Sequence, residues 1–151
     1  MADQNQLVGW LAATHPHIVV MHFGTNGVWS NRSTAQILAA CTTLVGQMRA
    51  DNPAMKILVA KIIPVAPSAC AECAQRTVDL DAAIAAWAAS TTTAASPVTV
   101  VDQWTGGDPA ADTSDGVHPN GSGIVTMATA TPALTPTAGA GAACTATCTA
   151  V

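Results

Sequence analysis

The sequence predicts an α/β domain with a parallel sheet, and three observations carry that prediction. Residues 17–23 and 56–63 are nearly unbroken apolar runs rich in Ile and Val. Runs of that kind suit strands covered on both faces, as in a parallel sheet. Stretches with helical spacing of apolar residues alternate with them, and this alternation implies right-handed β-α-β crossovers. Two loops that carry reactive side chains, around Asn26 and around His118, follow predicted strand ends. Sites in open parallel sheets gather at that edge.

Each element has its own local reason. Residues 4–14 place Leu7, Val8, Trp10 and Leu11 at helical spacing, and His15-Pro16 ends the run because a residue before proline avoids the helical region. The strand at 17–23 leads into a loop over 24–32. Ser33 is a natural N-cap for a helix to about residue 50, with Ile37, Leu38, Cys41, Leu44, Val45 and Met48 on one stripe. Asp51-Asn52-Pro53 breaks it. Pro64 closes the second strand, and residues 75–90 form a third helix with Val78, Leu80, Ile84, Trp87 and Ala88 as its inward face. Residues 97–102 are a short third strand. A long loop, 103–120, carries Trp104, and a helix begins near Asn120 or Ser122. The domain is expected over 1–128. Residues 129–151, built of Ala, Thr, Pro and Gly without charge, are expected to be a disordered tail.

Composition narrows the function classes. Half of the 151 residues are hydrophobic, but much of that is alanine, with one Phe and no Tyr, so the core is modest for the length. Five basic residues, unclustered, and a net charge of −4 argue against nucleic acid and anionic membrane surfaces as partners. No apolar run reaches the roughly 18 residues of a membrane span. The polar start, Met1 to Gln6, reads as lacking a signal peptide. Of the five cysteines, Cys70 and Cys73 form a Cys-x-x-Cys, Cys144 and Cys148 lie in the tail, and Cys41 reads as a buried small hydrophobe. A local disulfide between Cys70 and Cys73 is expected; free thiols, or a redox or metal role, are the alternatives the spacing leaves open. No metal and no cofactor are expected. A phosphate-binding Gly-x-x-x-x-Gly-Lys loop and a dinucleotide Gly-x-Gly-x-x-Gly fingerprint are both absent.

Chemistry concentrates in two stretches. Asp115-Gly116-Val117-His118-Pro119-Asn120 puts a carboxylate three residues before an imidazole, in a loop shaped by Gly and Pro. A carboxylate orienting a histidine, which then takes a proton from a nucleophile, is two-thirds of a hydrolase triad. His22-Phe23-Gly24-Thr25-Asn26-Gly27 would project an amide side chain at a strand's carboxyl end. Each has a plainer reading: a surface turn for Asp115 and His118, a turn for Asn26, a cap or solvated loop for Asn31. His22 is expected to be a satisfied core histidine. Trp29 and Trp104 follow the two loops and would either floor a sugar pocket or simply pack.

With those residues in hand, the chain resembles the SGNH (GDSL-like) hydrolases, and among them the secreted carbohydrate esterases such as acetyl xylan esterases. The matching stretches are Val19-Val20-Met21-His22-Phe23-Gly24-Thr25-Asn26 and Asp115-Gly116-Val117-His118-Pro119-Asn120, within a likeness spanning roughly residues 4–128. The resemblance implies a three-layer α/β/α flavodoxin-like sheet that lacks its first strand or strands. It implies a serine-type hydrolase of acylated carbohydrate or short acyl esters, with His118 as general base, Asp115 as its orienting partner and Asn26 as an oxyanion donor. Gly24, Trp29 and Trp104 would line the substrate site, and the setting would be extracellular. Three departures stand out. The family's Gly-Asp-Ser strand end, which supplies the nucleophile, and the following segment with a glycine that gives a further oxyanion amide have no counterpart here. Gly27 stands where the family has an Asp after Gly-Thr-Asn, and the closing helix after His118 is expected to dissolve into the Ala/Thr tail. Ser30, Ser33, Ser68, Ser114 and Ser122 lack motif support as replacements. The chain is therefore expected to be the C-terminal two-thirds of such a domain, with an exposed apolar edge at the 17–23 strand and homodimerisation through that edge. A non-catalytic carbohydrate-binding remnant is the alternative, and a redox or metal module on Cys70 and Cys73 a third.

Overall fold

The computed structural model describes residues 6–130. In order come α1 (Gln6–Thr14), β1 (Ile18–Met21), α2 (Thr25–Trp29), α3 (Thr34–Asp51), β2 (Lys56–Ala60), α4 (Cys73–Thr91), β3 (Val98–Val101), α5 (Pro109–Asp112) and α6 (Gly121–Ala130). The three strands form one parallel sheet in the order β1-β2-β3, with Ile18 opposite Lys56 and Ile57 opposite Val98. The fold class is thus α/β with a parallel sheet. Of the residues expected to form a tail, Thr129 and Ala130 belong to α6; the remainder, with Cys144 and Cys148, lies outside the described residues, as do Met1–Asn5.

The pleat divides the sheet residues by face. Met21, Ile57, Val59 and Val98 join Leu11 of α1, Ile37, Cys41, Leu44, Val45 and Met48 of α3, and Leu80, Ile84 and Ala88 of α4 in one core. Leu58, Ala60 and Val101 point to the opposite face and form a second, small cluster. Their neighbours on β1, Ile18 and Val20, are exposed at 38% and 52%. The expectation of a β1 covered on both faces is therefore corrected: α1 and α3 shield one side, and among the described residues the other side of β1 is open.

Capping and side-chain ties set the helices. The Ser33 hydroxyl accepts from Gln36 N–H at 3.2 Å while the Gln36 side chain accepts from Ser33 N–H at 3.0 Å. This reciprocal capping box starts α3 where the sequence indicated. Ser33→Ala is expected to lower the unfolding free energy by about 1 kcal/mol, read as a shift in urea midpoint with unchanged slope. At the other end of α3, Arg49 donates from Nε to Ser96 Oγ (3.1 Å) and from Nη2 to the carbonyls of Thr91 (2.8 Å) and Ser96 (2.7 Å). The inward face of α4 is Cys73, Thr77, Leu80, Asp81, Ile84 and Ala88. Val78, expected inside, is 41% exposed because the i, i+3, i+4 stripe passes through Thr77 and Leu80 instead. Trp87 is half-buried and donates to Thr42 Oγ1 at 2.9 Å.

Candidate active site

Both predicted loops leave the carboxyl edge of the sheet, and together they wall one open cleft of about 660 Å³. His22, Thr25, Asn26 and Trp29 line it from the β1–α2 side, and Asp115, Val117, His118 and Pro119 from the other. The loop Pro67-Ser68-Ala69 closes a third side, and the buried Ile62 and Ile63 form its base.

The acid–histidine loop is folded by its own polar groups. Asp115 Oδ1 accepts from Val117 N–H at 3.0 Å and from His118 N–H at 2.8 Å, so the carboxylate nucleates the turn it sits in. Gly116 follows with φ +83°, a left-handed conformation that glycine adopts without steric cost. Its carbonyl accepts from Ala66 N–H at 2.8 Å, and its N–H donates to Thr113 Oγ1 at 2.8 Å. An isolated antiparallel bridge pairs Thr113 with Pro119. Asn120 then locks the exit: its Nδ2 donates to the carbonyls of Ala111 (2.8 Å) and Thr113 (3.3 Å), and its Oδ1 accepts from Gly123 N–H at 3.1 Å. Asp112 braces the base of the loop, with Oδ2 accepting from Asp108 N–H (3.0 Å) and Oδ1 from the Ser122 hydroxyl (2.8 Å). These bonds, the Asp108 amide foremost, lower the Asp112 pKa.

Within this frame His118 Nδ1 lies 2.7 Å from Asp115 Oδ2. The amide N–H of His118, then its ring, hold the Asp115 carboxyl down to about 2. An ionised carboxylate can only accept, so the shared proton resides on Nδ1, which leaves Nε2 of the neutral ring as an acceptor. The two side chains are 53% and 78% exposed, so their charge attraction is screened and the loop's hydrogen bonds do the orienting.

Asn26 lies in the first turn of α2. Residues 24–32, expected to be a loop, contain this short helix, set by Val28 N–H donating to Gly24 O (2.8 Å) and Ser30 N–H to Asn26 O (3.0 Å). Gly24, at φ +136°, approaches α4 and the cleft base so closely that a Cβ there would sit 2.7 Å from Leu80 Cδ2 and 2.9 Å from Ile62 Cδ1. The Asn26 side chain is exposed at the cleft and bonds to no described residue, so its amide is free to donate. Gly24 itself lines a neighbouring open cavity of about 740 Å³, which shares His22, Thr25 and Asn26 with the cleft.

Trp29 is 47% exposed on the cleft wall. Trp104 is not among the lining residues; its N–H is held by Asp102 Oδ1 at 3.1 Å in a turn after β3. Asn31, also with positive φ, donates its backbone N–H to Val28 O as part of the α2 exit. Cys70 and Cys73 form a disulfide across the start of α4, and Arg76 links this loop to α2 through Cys70 Sγ (3.9 Å) and Val28 O (3.4 Å). Cys41 is a free, buried thiol, its pKa raised by burial. Among the described residues no group of three or more His, Cys, Asp or Glu could hold a metal, and no helix is long and apolar enough to cross a membrane.

His22 departs from expectation. It is exposed, bonds to no described residue and lines both cavities, although its surroundings desolvate the ring enough to lower its pKa. Its position at the carboxyl end of β1, one pleat from the buried Met21, was the available signal.

A model of the GDSL-like lipase/acylhydrolase family matches residues 2–124. Among solved structures, an acetyl esterase crystallised as a serine-to-alanine mutant with an acetate ion is similar at 34% identity and TM-score 0.76, over 83% of this chain and 60% of that one. A carbohydrate esterase of family 3 from Talaromyces cellulolyticus is similar at 34% identity and TM-score 0.76, over 84% and 60%. A family 3 carbohydrate esterase from Clostridium thermocellum, at 21% identity and TM-score 0.69, shares the fold over 86% and 62%. The chain thus spans about 60% of the length of these structures. No curated protein sequence matches it.

Proposed function

Because the chain belongs to the GDSL-like lipase/acylhydrolase family, we propose that its cleft is the acid–base side of a serine-type ester hydrolase acting on acylated carbohydrate or other short acyl esters. The observation that supports this most directly is the 2.7 Å contact of His118 Nδ1 with Asp115, in a cleft that also receives the free amide of Asn26. In the proposed reaction a serine hydroxyl approaches His118 Nε2 and loses its proton as its oxygen bonds to the ester carbonyl carbon. Asp115 keeps the ring in the correct tautomer and steadies the imidazolium. Asn26 Nδ2–H donates to the carbonyl oxygen as it becomes an oxyanion. The protonated His118 then gives its proton to the departing alcohol oxygen, and a water repeats the sequence to release the acid.

Among the described residues no serine hydroxyl bonds to His118, so the nucleophile is proposed to come from a strand carrying Gly-Asp-Ser that pairs with the open edge of β1. A second copy of this chain meeting that same edge would give the homodimer expected from the sequence. Trp29 offers an indole face for a sugar ring, and the Cys70–Cys73 disulfide suits the oxidising exterior in which such enzymes act.

The test is hydrolysis of a chromogenic acetate by the purified chain, alone and mixed with a synthetic strand peptide ending in Gly-Asp-Ser. Turnover that requires the peptide is the expected result. Inertness in both mixtures, together with acetate leaving the His118 ring resonances unshifted, would sink the reading. The carbohydrate-binding alternative draws its support from the exposed indole of Trp29 on the cleft wall: it expects Trp29→Ala to weaken sugar binding, His118→Ala to leave it intact, and no turnover in any mixture.

A further inference from the structure

Behind the cleft base sits a carboxyl group that the proposed reaction does not use. Asp81 is carried on the inward face of α4 and is 5% exposed. The β1–β2 pairing ends at Met21 and Val59, so the Ile62 N–H lies beyond the ladder, and Asp81 Oδ1 accepts from it at 2.9 Å. Asp81 Oδ2 is buried without a partner among the described residues. The adjacent α4 residue, Leu80, packs with Ile62 against Gly24, two residues before Asn26. One side chain therefore sits where the cleft base and the Asn26 turn meet.

We propose that Asp81 is a positioning residue for the cleft: in its protonated form it fixes the Ile62–Ile63 base and, through it, the Gly24 turn that presents Asn26, and loss of that proton loosens both. This rests on the acyl-site reading of the cleft. The charged groups that face Asp81 are Lys61, following β2, and Asp102, following β3. Lys61 Nζ is already 3.4 Å from Asp102 Oδ2, so it cannot fully serve Asp81 as well. Burial is the main cause that pushes the Asp81 carboxyl up to about 7, against the Ile62 N–H and Lys61, which pull it down. A buried carboxylate with an empty oxygen costs more than the neutral acid. Ionisation therefore draws Lys61 or water toward Oδ2, and Lys61 is the neighbour of Ile62 in the chain. Asp81→Asn keeps the acceptor for Ile62 N–H and cannot ionise.

The experiment is a pH titration of the full chain from about pH 5 to about pH 9, following the backbone amides of Gly24, Asn26 and Ile62 by NMR. A shared inflection near neutrality is expected, absent in Asp81→Asn. Folded Asp81 binds its proton more tightly than the unfolded chain does, so its contribution to stability falls as pH rises from about 4 to about 7 and stays low above. The melting temperature of Asp81→Asn should therefore exceed that of the native chain by several degrees at pH 8 and by less at pH 5. Amides that fail to titrate together, or that still do so in Asp81→Asn, overturn the proposal. Acetate added at each pH separates the two readings. Acetate that shifts His118 while the Ile62 amide is indifferent to pH removes the Asp81 inference alone. Acetate that never shifts His118 removes the acyl-site reading and the inference with it.

Discussion

Replacing His118 with alanine is expected to lower ester hydrolysis by the peptide-complemented chain about 10³-fold or more, to the residual rate that binding and the oxyanion donor supply. The reason is the geometry around the ring. Nδ1 is committed to Asp115 at 2.7 Å, so Nε2 is the cleft's proton acceptor, and alanine removes it without disturbing the loop's backbone bonds, which Asp115 Oδ1 and Gly116 make. Asp115→Asn is expected to cost nearly as much for a different reason. Its amide can meet Nδ1 as a donor, which favours the tautomer with the proton on Nε2 and turns the base away from its task. The pH profile separates the two groups. With its carboxyl held at about 2, Asp115 stays ionised above about pH 4, so any acid limb above that pH belongs to another group. Equal activity of native protein and His118→Ala, measured as initial rates on the same acetate, would show that the cleft does not run the proposed chemistry.

Gly116→Ala is expected to be strongly destabilising. The residue's φ of +83° costs an alanine about 1–2 kcal/mol, and the new Cβ would press on the Ala66 carbonyl, 2.7 Å from its carbon. Relief of that clash opens the Ala66 N–H to Gly116 O bond, adding about 1 kcal/mol. Together these effects come to about 3 kcal/mol, a fall in melting temperature on the order of 10 °C. Gly46→Ala is the matched control. Gly46 lies inside α3 with open space around its Cβ position, and the same chemical change there should stabilise by about 0.5–1 kcal/mol. Opposite signs in the two melting curves confirm that the 116 loop, and not a general intolerance of alanine, sets the cost.

The sheet and its helices were legible because periodicity reports burial. The stripe from Ile37 to Met48 and the N-cap Ser33 specify α3 in the sequence as clearly as in space, while the reciprocal bond from Gln36 shows only in the structure. The turn from Asp115 to His118 was legible for a similar reason, since Asp, Gly and Pro at those positions define the local hydrogen bonds before any tertiary contact forms. What eluded the sequence depends on contacts between elements. Asp81 has the inward spacing of α4, but a carboxylate reads as a surface residue until the Ile62 amide, nineteen positions away, claims it. Trp104 follows the third strand as a cleft residue would, but Asp102 captures its amide and the adjoining Thr105 hydroxyl, turning the segment aside. Ile18 and Val20 read as doubly buried because composition records how apolar a strand is, and not which neighbours cover it.

Arg49 has a consequence for how the molecule opens. Its guanidinium bridges α3, the end of α4 and the connection into β3, and the Ser96 hydroxyl it contacts also donates to Met55 O at 2.6 Å at the entry to β2. These contacts lie at the amino ends of β2 and β3, opposite the cleft. Hydrogen exchange should therefore be graded along the strands: amides near Met55 and Val98 should be released as one unit with the slow global opening, while those around Asn26 and Val117 exchange through smaller, independent fluctuations. The sheet is thus expected to act as a clamp, pinned by Arg49 at one end and left to breathe at the end where a substrate would enter.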